Sequence, residues 1–198
     1  MNRLLQVAAL TSWLLCAQWV QAGEWEDGYD AYKRRDYVTA VKLWRIVAER
    51  GDAAGQSLMG KMYAFGQGVP QSYPETLKWY RLAAAQGEAR AQFSLGFMNL
   101  NGQGLPQNNA EAVKWFRLAA AQDNADAQHN LSQMYAKGLS VDQSAFRAYM
   151  WGFLAAASGH TLAKQGLKDL REPLTPKQID QAKTAGRECH LNAFKGCQ

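Results

Sequence analysis

Residues Ala53–Glu88 read AAGQSLMGKMYAFGQGVPQSYPETLKWYRLAAAQGE, and residues Ala89–Asn124 read ARAQFSLGFMNLNGQGLPQNNAEAVKWFRLAAAQDN. Both segments have 36 residues, and 18 positions are identical between them. The shared frame runs through Gln56/Gln92, Gly60/Gly96 and Met62/Met98, then through the loop Gly66-Gln67-Gly68-x-Pro70-Gln71 against Gly102-Gln103-Gly104-x-Pro106-Gln107. It continues through Glu75/Glu111, Lys78-Trp79/Lys114-Trp115 and the run Arg81–Gln86 against Arg117–Gln122. A third copy, Ala125–His160, keeps Gln128, Leu131, Met134, Tyr135, Gly138, Trp151, Ala155 and Ala156. Upstream, Tyr37–Asp52 carries Trp44, Ala48 and Gly51, the second half of an earlier copy; downstream, Thr161–Leu170 keeps Leu167 as the first half of a later one. A fixed period of this length marks stacked supersecondary units.

Each unit reads as two antiparallel helices. In Ala53–Phe65, residues Gln56, Met59, Gly60 and Tyr63 fall at i, i+3, i+4 and i+7, one face of a helix. Gly66 supplies the left-handed stop, Pro70 punctuates the loop, and Glu75 suits the first turn of the second helix. That helix carries Trp79, Tyr80, Ala83 and Ala84 and ends at Gly87. The small column Gly60/Gly96/Ser132 lets paired helices approach closely, opposite bulky rings. One such hairpin cannot bury its apolar face alone, so neighbours must stack. Glu24–Arg35, with Trp25, Tyr29 and Tyr32, reads as an opening helix. At the other end Thr175, Pro176 and Gln178 form a capping-box start to a polar helix reaching about Cys189.

These residues resemble the Sel1-like repeats, α/α units similar to tetratricopeptide repeats but with a longer loop. Ala89, Ala91, Gln92, Leu95, Gly96, Met98, Gly102, Gly104, Pro106 and Gln107 meet the first half of the family pattern. Ala112, Lys114, Trp115, Phe116, Arg117, Ala119 and Ala120 meet the second. Departures are Asn99 for the usual Tyr, Thr76 for Ala, and a third loop with Ser140 and Asp142 for Gly and Pro. The resemblance implies an all-α fold, an α/α superhelical solenoid of about four 36-residue Sel1-like helix-pair repeats. It divides the chain into an N-terminal helix pair over 23–52, three repeats over 53–160 and capping helices with a tail over 161–198. It also implies a non-enzymatic scaffold or adaptor. Exported relatives assist envelope assemblies, regulate signalling proteins or bind host proteins such as immunoglobulin, and a polysaccharide-export adaptor is a further variant. Cysteine-rich relatives are described as β-lactamases, but this chain has no Ser-x-x-Lys and no cysteine pair in each repeat.

The N-terminus reads as an export signal. Arg3 precedes a largely apolar Leu4–Val20, and Val20-Gln21-Ala22 places small residues ahead of a cut before Gly23. Gln6 and Gln18 shorten the apolar core below the ~20 residues that span a bilayer comfortably, which disfavours an uncleaved anchor. Leu15 disfavours lipidation at Cys16, because a lipoprotein signal wants a small residue there. Residues 1–22 are thus expected to be a signal peptide and the product periplasmic or secreted, with no integral membrane segment after cleavage. Cleavage removes Cys16 from a chain of three cysteines and leaves Cys189 and Cys197. An even pair in an exported protein favours a disulfide over a redox or metal motif, which their spacing does not match. The net charge of +5 is too small to mark a nucleic-acid-binding surface.

Signals for catalysis are sparse. His129, His160 and His190 stand in no metal-ligand spacing, and Gly66-x-Gly68 recurs with the repeat, as loop geometry does. No catalytic residue, cofactor or metal ligand is expected, and His160 reads as a solvated turn residue. The column Trp44/Trp79/Trp115/Trp151 reads as core, and the recurring pairs Lys42/Arg45, Lys78/Arg81 and Lys114/Arg117 as a solvated stripe. Positions that vary between copies carry the functional expectation, because packing repeats and a binding surface need not. Phe93, Phe97 and Leu100 make an apolar i, i+4, i+7 stripe off the framework, flanked by Ser57, Lys61, Asn101, His129 and Gln133. First helices line the concave side of the related solenoids, so these residues are the candidate groove for a protein or peptide partner. The alternative is that the stripe packs beneath a neighbouring helix.

Overall fold

A computed structural model describes residues 23–192 of the chain. Residues 1–22 and 193–198, and with them the expected signal peptide, Cys16 and Cys197, lie outside the described residues. Ten helices follow one another, and no strand occurs among the described residues. They are α1 (23–33), α2 (Tyr37–Glu49), α3 (Ala53–Phe65), α4 (Tyr73–Ala85), α5 (Ala89–Asn101), α6 (Asn109–Ala120), α7 (Ala125–Lys137), α8 (Ala145–Ala157), α9 (Thr161–Arg171) and α10 (Pro176–Leu191). The fold is an all-α solenoid of helix pairs. Two compact units divide it, residues up to Ala83 and residues from Ala84 onward. No described helix is long and apolar enough to cross a membrane.

The helix ends explain the sequence frame. Asp52, Glu88, Asn124 and His160 share one column, and each accepts the backbone N–H three residues on, from Gly55, Ala91, Ala127 and Ala163. The second helices start on another column, with Asp36, Ser72, Asn108 and Ser144 accepting from Thr39, Glu75, Glu111 and Arg147. Such caps satisfy backbone donors that the helix itself leaves orphaned. The first helices α3, α5 and α7 each close on a glycine at positive φ, Gly66, Gly102 and Gly138. The loop glutamines Gln71, Gln107 and Gln143 then donate from Nε2 to Ala64, Leu100 and Ala136 carbonyls, at 2.8, 2.8 and 2.9 Å. In the third loop Ser140 adopts φ 54 without being glycine.

A second glutamine column joins one pair to the next. Gln56 Nε2 donates to the Ala48 carbonyl at 3.2 Å, and Gln92 and Gln128 do the same to Ala84 and Ala120 at 3.4 Å. All three are buried. Each amide gives a second donor to a carbonyl at the end of the preceding second helix, one that already takes the turn N–H of Gly51, Gly87 or Asp123.

In the first unit the core gathers Ala31, Ala40, Val41, Trp44, Met59, Met62 and Trp79. Trp25 meets Trp44 edge-on at 6.2 Å, and Tyr32 lies 5.4 Å from it. A β-carbon on Gly60 would stand 2.5 Å from the Tyr80 ring, so only glycine admits that crossing. In the second unit the core runs through Phe116, Leu131, Met134, Tyr135, Tyr149 and Trp151 to Ile179 and Ala182 of α10. Gly96 takes the same close contact with Phe116, at 2.7 Å. Of the tryptophan column, Trp44, Trp79 and Trp151 are buried and Trp115 is half-buried.

Of the recurring arginines, Arg81 is exposed, but Arg45 and Arg117 are not simply solvated. Arg45 donates to the Tyr63 hydroxyl and Arg117 to the Tyr135 hydroxyl, each at 2.9 Å and each 18 residues apart. The lysines of the stripe stay exposed and pair along their own helix, Lys78 with Glu75 and Lys114 with Glu111.

Two glycine substitutions separate close packing from backbone cost. Gly96→Ala forces a β-carbon into the Phe116 ring, and we expect it to cost about 1–3 kcal/mol. Gly166, inside α9, has nothing within 4 Å of that position, so Gly166→Ala is expected to gain roughly 0.5–1 kcal/mol. Urea titrations of the two variants beside the parent protein check both signs.

Candidate protein-binding face

The first helices α5 and α7 of the second unit carry most of the stripe that varies between copies. Each packs its recurring face on second helices, α5 on α6 and α7 on both α6 and α8. In α5, Ala91, Gln92, Leu95, Gly96, Met98 and Asn99 are buried, which leaves Phe93, Phe97, Leu100 and Asn101 on the remaining faces. The stripe divides along its length. Phe93 is half-buried, stacks at 5.8 Å on Phe116 and packs, with Leu100, against the core of the unit. Phe97 leans on Phe93 at 6.2 Å, yet 41 % of it remains exposed. One ring is therefore a foundation and the other is offered to solvent.

The polar flank is held by short-range bonds. Asn101 Nδ2 donates to the Phe97 carbonyl at 2.9 Å, and Gln107 caps the Leu100 carbonyl. His129 and Gln133, one turn apart on α7, are both half-buried. Burial and the neighbouring His160 hold the His129 imidazole below the ordinary histidine range, with Asp126 pulling the other way. In the first unit, Ser57 is buried at 8 % exposure, too enclosed to touch a partner. Lys61 places its ammonium 5.0 Å from the centre of the Tyr32 ring, a cation–π contact.

His160 departs from the sequence expectation. It is the N-cap of α9, its side chain only 13 % exposed, and it stacks on His129 with ring centres 4.3 Å apart. The signal was present in the column Asp52/Glu88/Asn124/His160, three good caps followed by a histidine. Cys189 is buried in α10, and its expected partner Cys197 lies outside the described residues. No group of three or more His, Cys, Asp or Glu is placed to hold a metal ion among the described residues.

The Sel1-repeat family model matches residues 22–52, 53–88, 89–124 and 125–160. The chain belongs to the Sel1-repeat family. Its helix-pair arrangement is shared with the crystal structure of a protective antigen present in uropathogenic Escherichia coli strains, which displays an SLR fold. That match has 28 % identity and a TM-score of 0.76, and it covers 91 % of this chain but 40 % of the antigen. A Sel1 repeat protein from Oxalobacter formigenes matches at 30 % identity with a TM-score of 0.70, over 81 % of this chain and 68 % of that one. The chain thus spans about two fifths of the length of the Escherichia coli protein. No curated protein matches it. Sel1 repeats generally mediate protein–protein interactions.

The division of the stripe gives a direct test. Phe93→Asp buries a carboxylate against Phe116, and we expect it to destabilise the fold by about 3 kcal/mol or more. Phe97→Asp is expected to leave the thermal transition within about 0.5 kcal/mol of the parent. Circular dichroism melts decide it, and equal losses from both variants would make the whole stripe core.

Proposed function

We propose that this chain is an exported, non-enzymatic adaptor that holds a protein or peptide partner on the face carrying Phe97. The observation that supports this reading most is the exposed Phe97 ring, braced from below by Phe93. A solvated aromatic on a rigid helix, with the Asn101 amide one turn further along the same helix, has the make-up of a binding anchor. An aromatic anchor of this kind loses little conformational freedom when a partner covers it. The outward phenylalanine is also peculiar to this copy: Lys61 and Gln133 stand in its place in the copies on either side. A feature of the fold alone would repeat with the fold.

Export rests on the sequence of residues 1–22 and on the cysteine arithmetic. With Cys16 removed, Cys189 and Cys197 form a nine-residue disulfide loop, worth about 2.5 kcal/mol in the chain-entropy account. The bond would tie the end of α10 to the residues that follow it. An oxidising compartment, the periplasm or the exterior, is where such a bond persists.

A photo-crosslinking residue at position 97 in living cells is expected to trap one discrete partner, and the same residue at position 118, on a second helix, is not. Equal trapping from both positions, or none from 97, 129 and 133, would remove the adaptor reading. Export is checked separately by intact mass of the purified protein. The expected species begins at Gly23, and its two cysteines resist alkylation until reduced.

A further inference from the structure

Two of the three histidines in this chain meet at one junction, where the turn after α8 enters α9. His129 and His160 stack with ring centres 4.3 Å apart and planes 19° from parallel. His160 Nδ1 accepts the backbone N–H of Ala163 at 3.0 Å, and its Nε2 stands 3.3 Å from Asp126 Oδ1. A ring that accepts at Nδ1 carries its proton on Nε2, so the capping state is the neutral Nε2–H tautomer. Adding a proton turns Nδ1 into a donor that faces another donor. It also sets a positive charge on the positive end of α9, and beside a second imidazole.

We propose that the His129–His160 stack is an acid-sensitive latch: neutral, it holds the first turn of α9 closed, and protonation of His160 releases that turn. The charged surroundings are few. From α7 come Asp126 and His129, and on α9 itself Lys164 stands one turn further on. The end of α8 that meets α9, Ala155–Ser158, carries no titratable side chain. His190 of α10 is engaged elsewhere, 2.9 Å from Asp123 in the turn before α7. Asp126 favours the imidazolium, but it is 62 % exposed and its pull is weakened by solvent. It also cannot restore the lost bond to Ala163. His129 works in the same direction as the cap. Burial and the neighbouring His160 lower its affinity for a proton in the folded protein. A histidine held low when folded contributes stability that is full above about pH 6.5 and declines as the pH falls from there. Both rings therefore favour a closed α9 at neutral pH and a looser one in acid. The first helices α3, α5 and α7 are capped instead by Asp52, Glu88 and Asn124, none of which is an imidazole.

The latch does not depend on the partner reading, and its test needs no partner. Amide hydrogen exchange by NMR, corrected for intrinsic rates, is measured at pH 7.5 and pH 5.0. Protection at Ala163 is expected to fall by about fivefold relative to Leu131 in α7. The variant H160N puts into this column the side chain that caps α7, and it is expected to hold Ala163 equally at both pH values. Nitrogen shifts of the wild-type imidazoles at pH 7.5 are expected to show His160 as the Nε2–H tautomer. An Nδ1–H tautomer would overturn the latch, as would equal protection in the wild type at the two pH values, or the same loss in H160N.

Discussion

Everything in this chain depends on a ring lying where a β-carbon would be. Tyr80 presses on Gly60 and Phe116 on Gly96, and in both places an added carbon would sit inside van der Waals contact. That approach sets the separation of the two helices in a pair. The loop between them, the caps at its ends and the glutamine of the next pair all fall into place only at that spacing. The third pair solves the same problem in reverse. Its first helix carries Ser132 and its second carries Gly152, with no ring between them. The Ser132 hydroxyl instead donates to the Ala148 carbonyl at 2.7 Å, and Leu170 of α9 fills the space beside Gly152. Small against large is kept, but the large partner now comes from the following helix.

The period, the helix pairs and most of the core were legible because one packing solution is written four times. A column of identical residues averages out local accident, and each column turned out to have one job: cap, stop, carbonyl clamp or ring. The less legible features are those made by residues far apart in sequence or by a single departure. The link from Arg45 to Tyr63 spans 18 residues and crosses from one pair to the next, so helical periodicity alone could not reveal it. Its recurrence as Arg117 and Tyr135 was the available clue. Asn99 shows why a departure can be harmless. It lacks the hydroxyl of the Tyr63 and Tyr135 column, yet its carbonyl still takes the Asn108 N–H that anchors the loop, and its amide turns back to Leu95.

The candidate face was legible only in part, for a physical reason. Variation between copies shows that a position is released from the common packing, but not whether it is released to solvent. Ser57 varies and is buried; Phe93 varies and is half-buried; Phe97 varies and is exposed. Neighbours on successive turns of one helix differ by about 40° to 60° in direction, and only the packed structure shows where the edge of contact falls. The pair Phe93 and Phe97 straddles that edge. A lone exposed phenylalanine would move freely, whereas one stacked on an anchored ring is held in place before any partner arrives.

The C-terminal helices show how a repeating fold stops. In α9 the clamp column carries Lys164 instead of glutamine, and the small column carries Lys168 instead of Gly or Ser; both lysines are exposed. A further second helix packed against the small column would bury the Lys168 ammonium at the crossing, a cost no cap or clamp offsets. The chain turns instead to α8, whose outer face differs from its counterparts. Where α6 has Lys114, Arg117 and Leu118, α8 has Met150, Phe153 and Leu154. Gly186 of α10 lies against all three of these apolar residues. Leu118 is half exposed while Leu154 is 6 % exposed, so the helix covers the one outer face that could not have stood in water alone. The turn before α7 is adapted to the same docking. Asp123 replaces the glycine found at positions 51, 87 and 159 and keeps a positive φ of 59°. That strained backbone gains a carboxylate for His190 at the far end of α10, so one apolar seam and one polar contact together fix where the array ends.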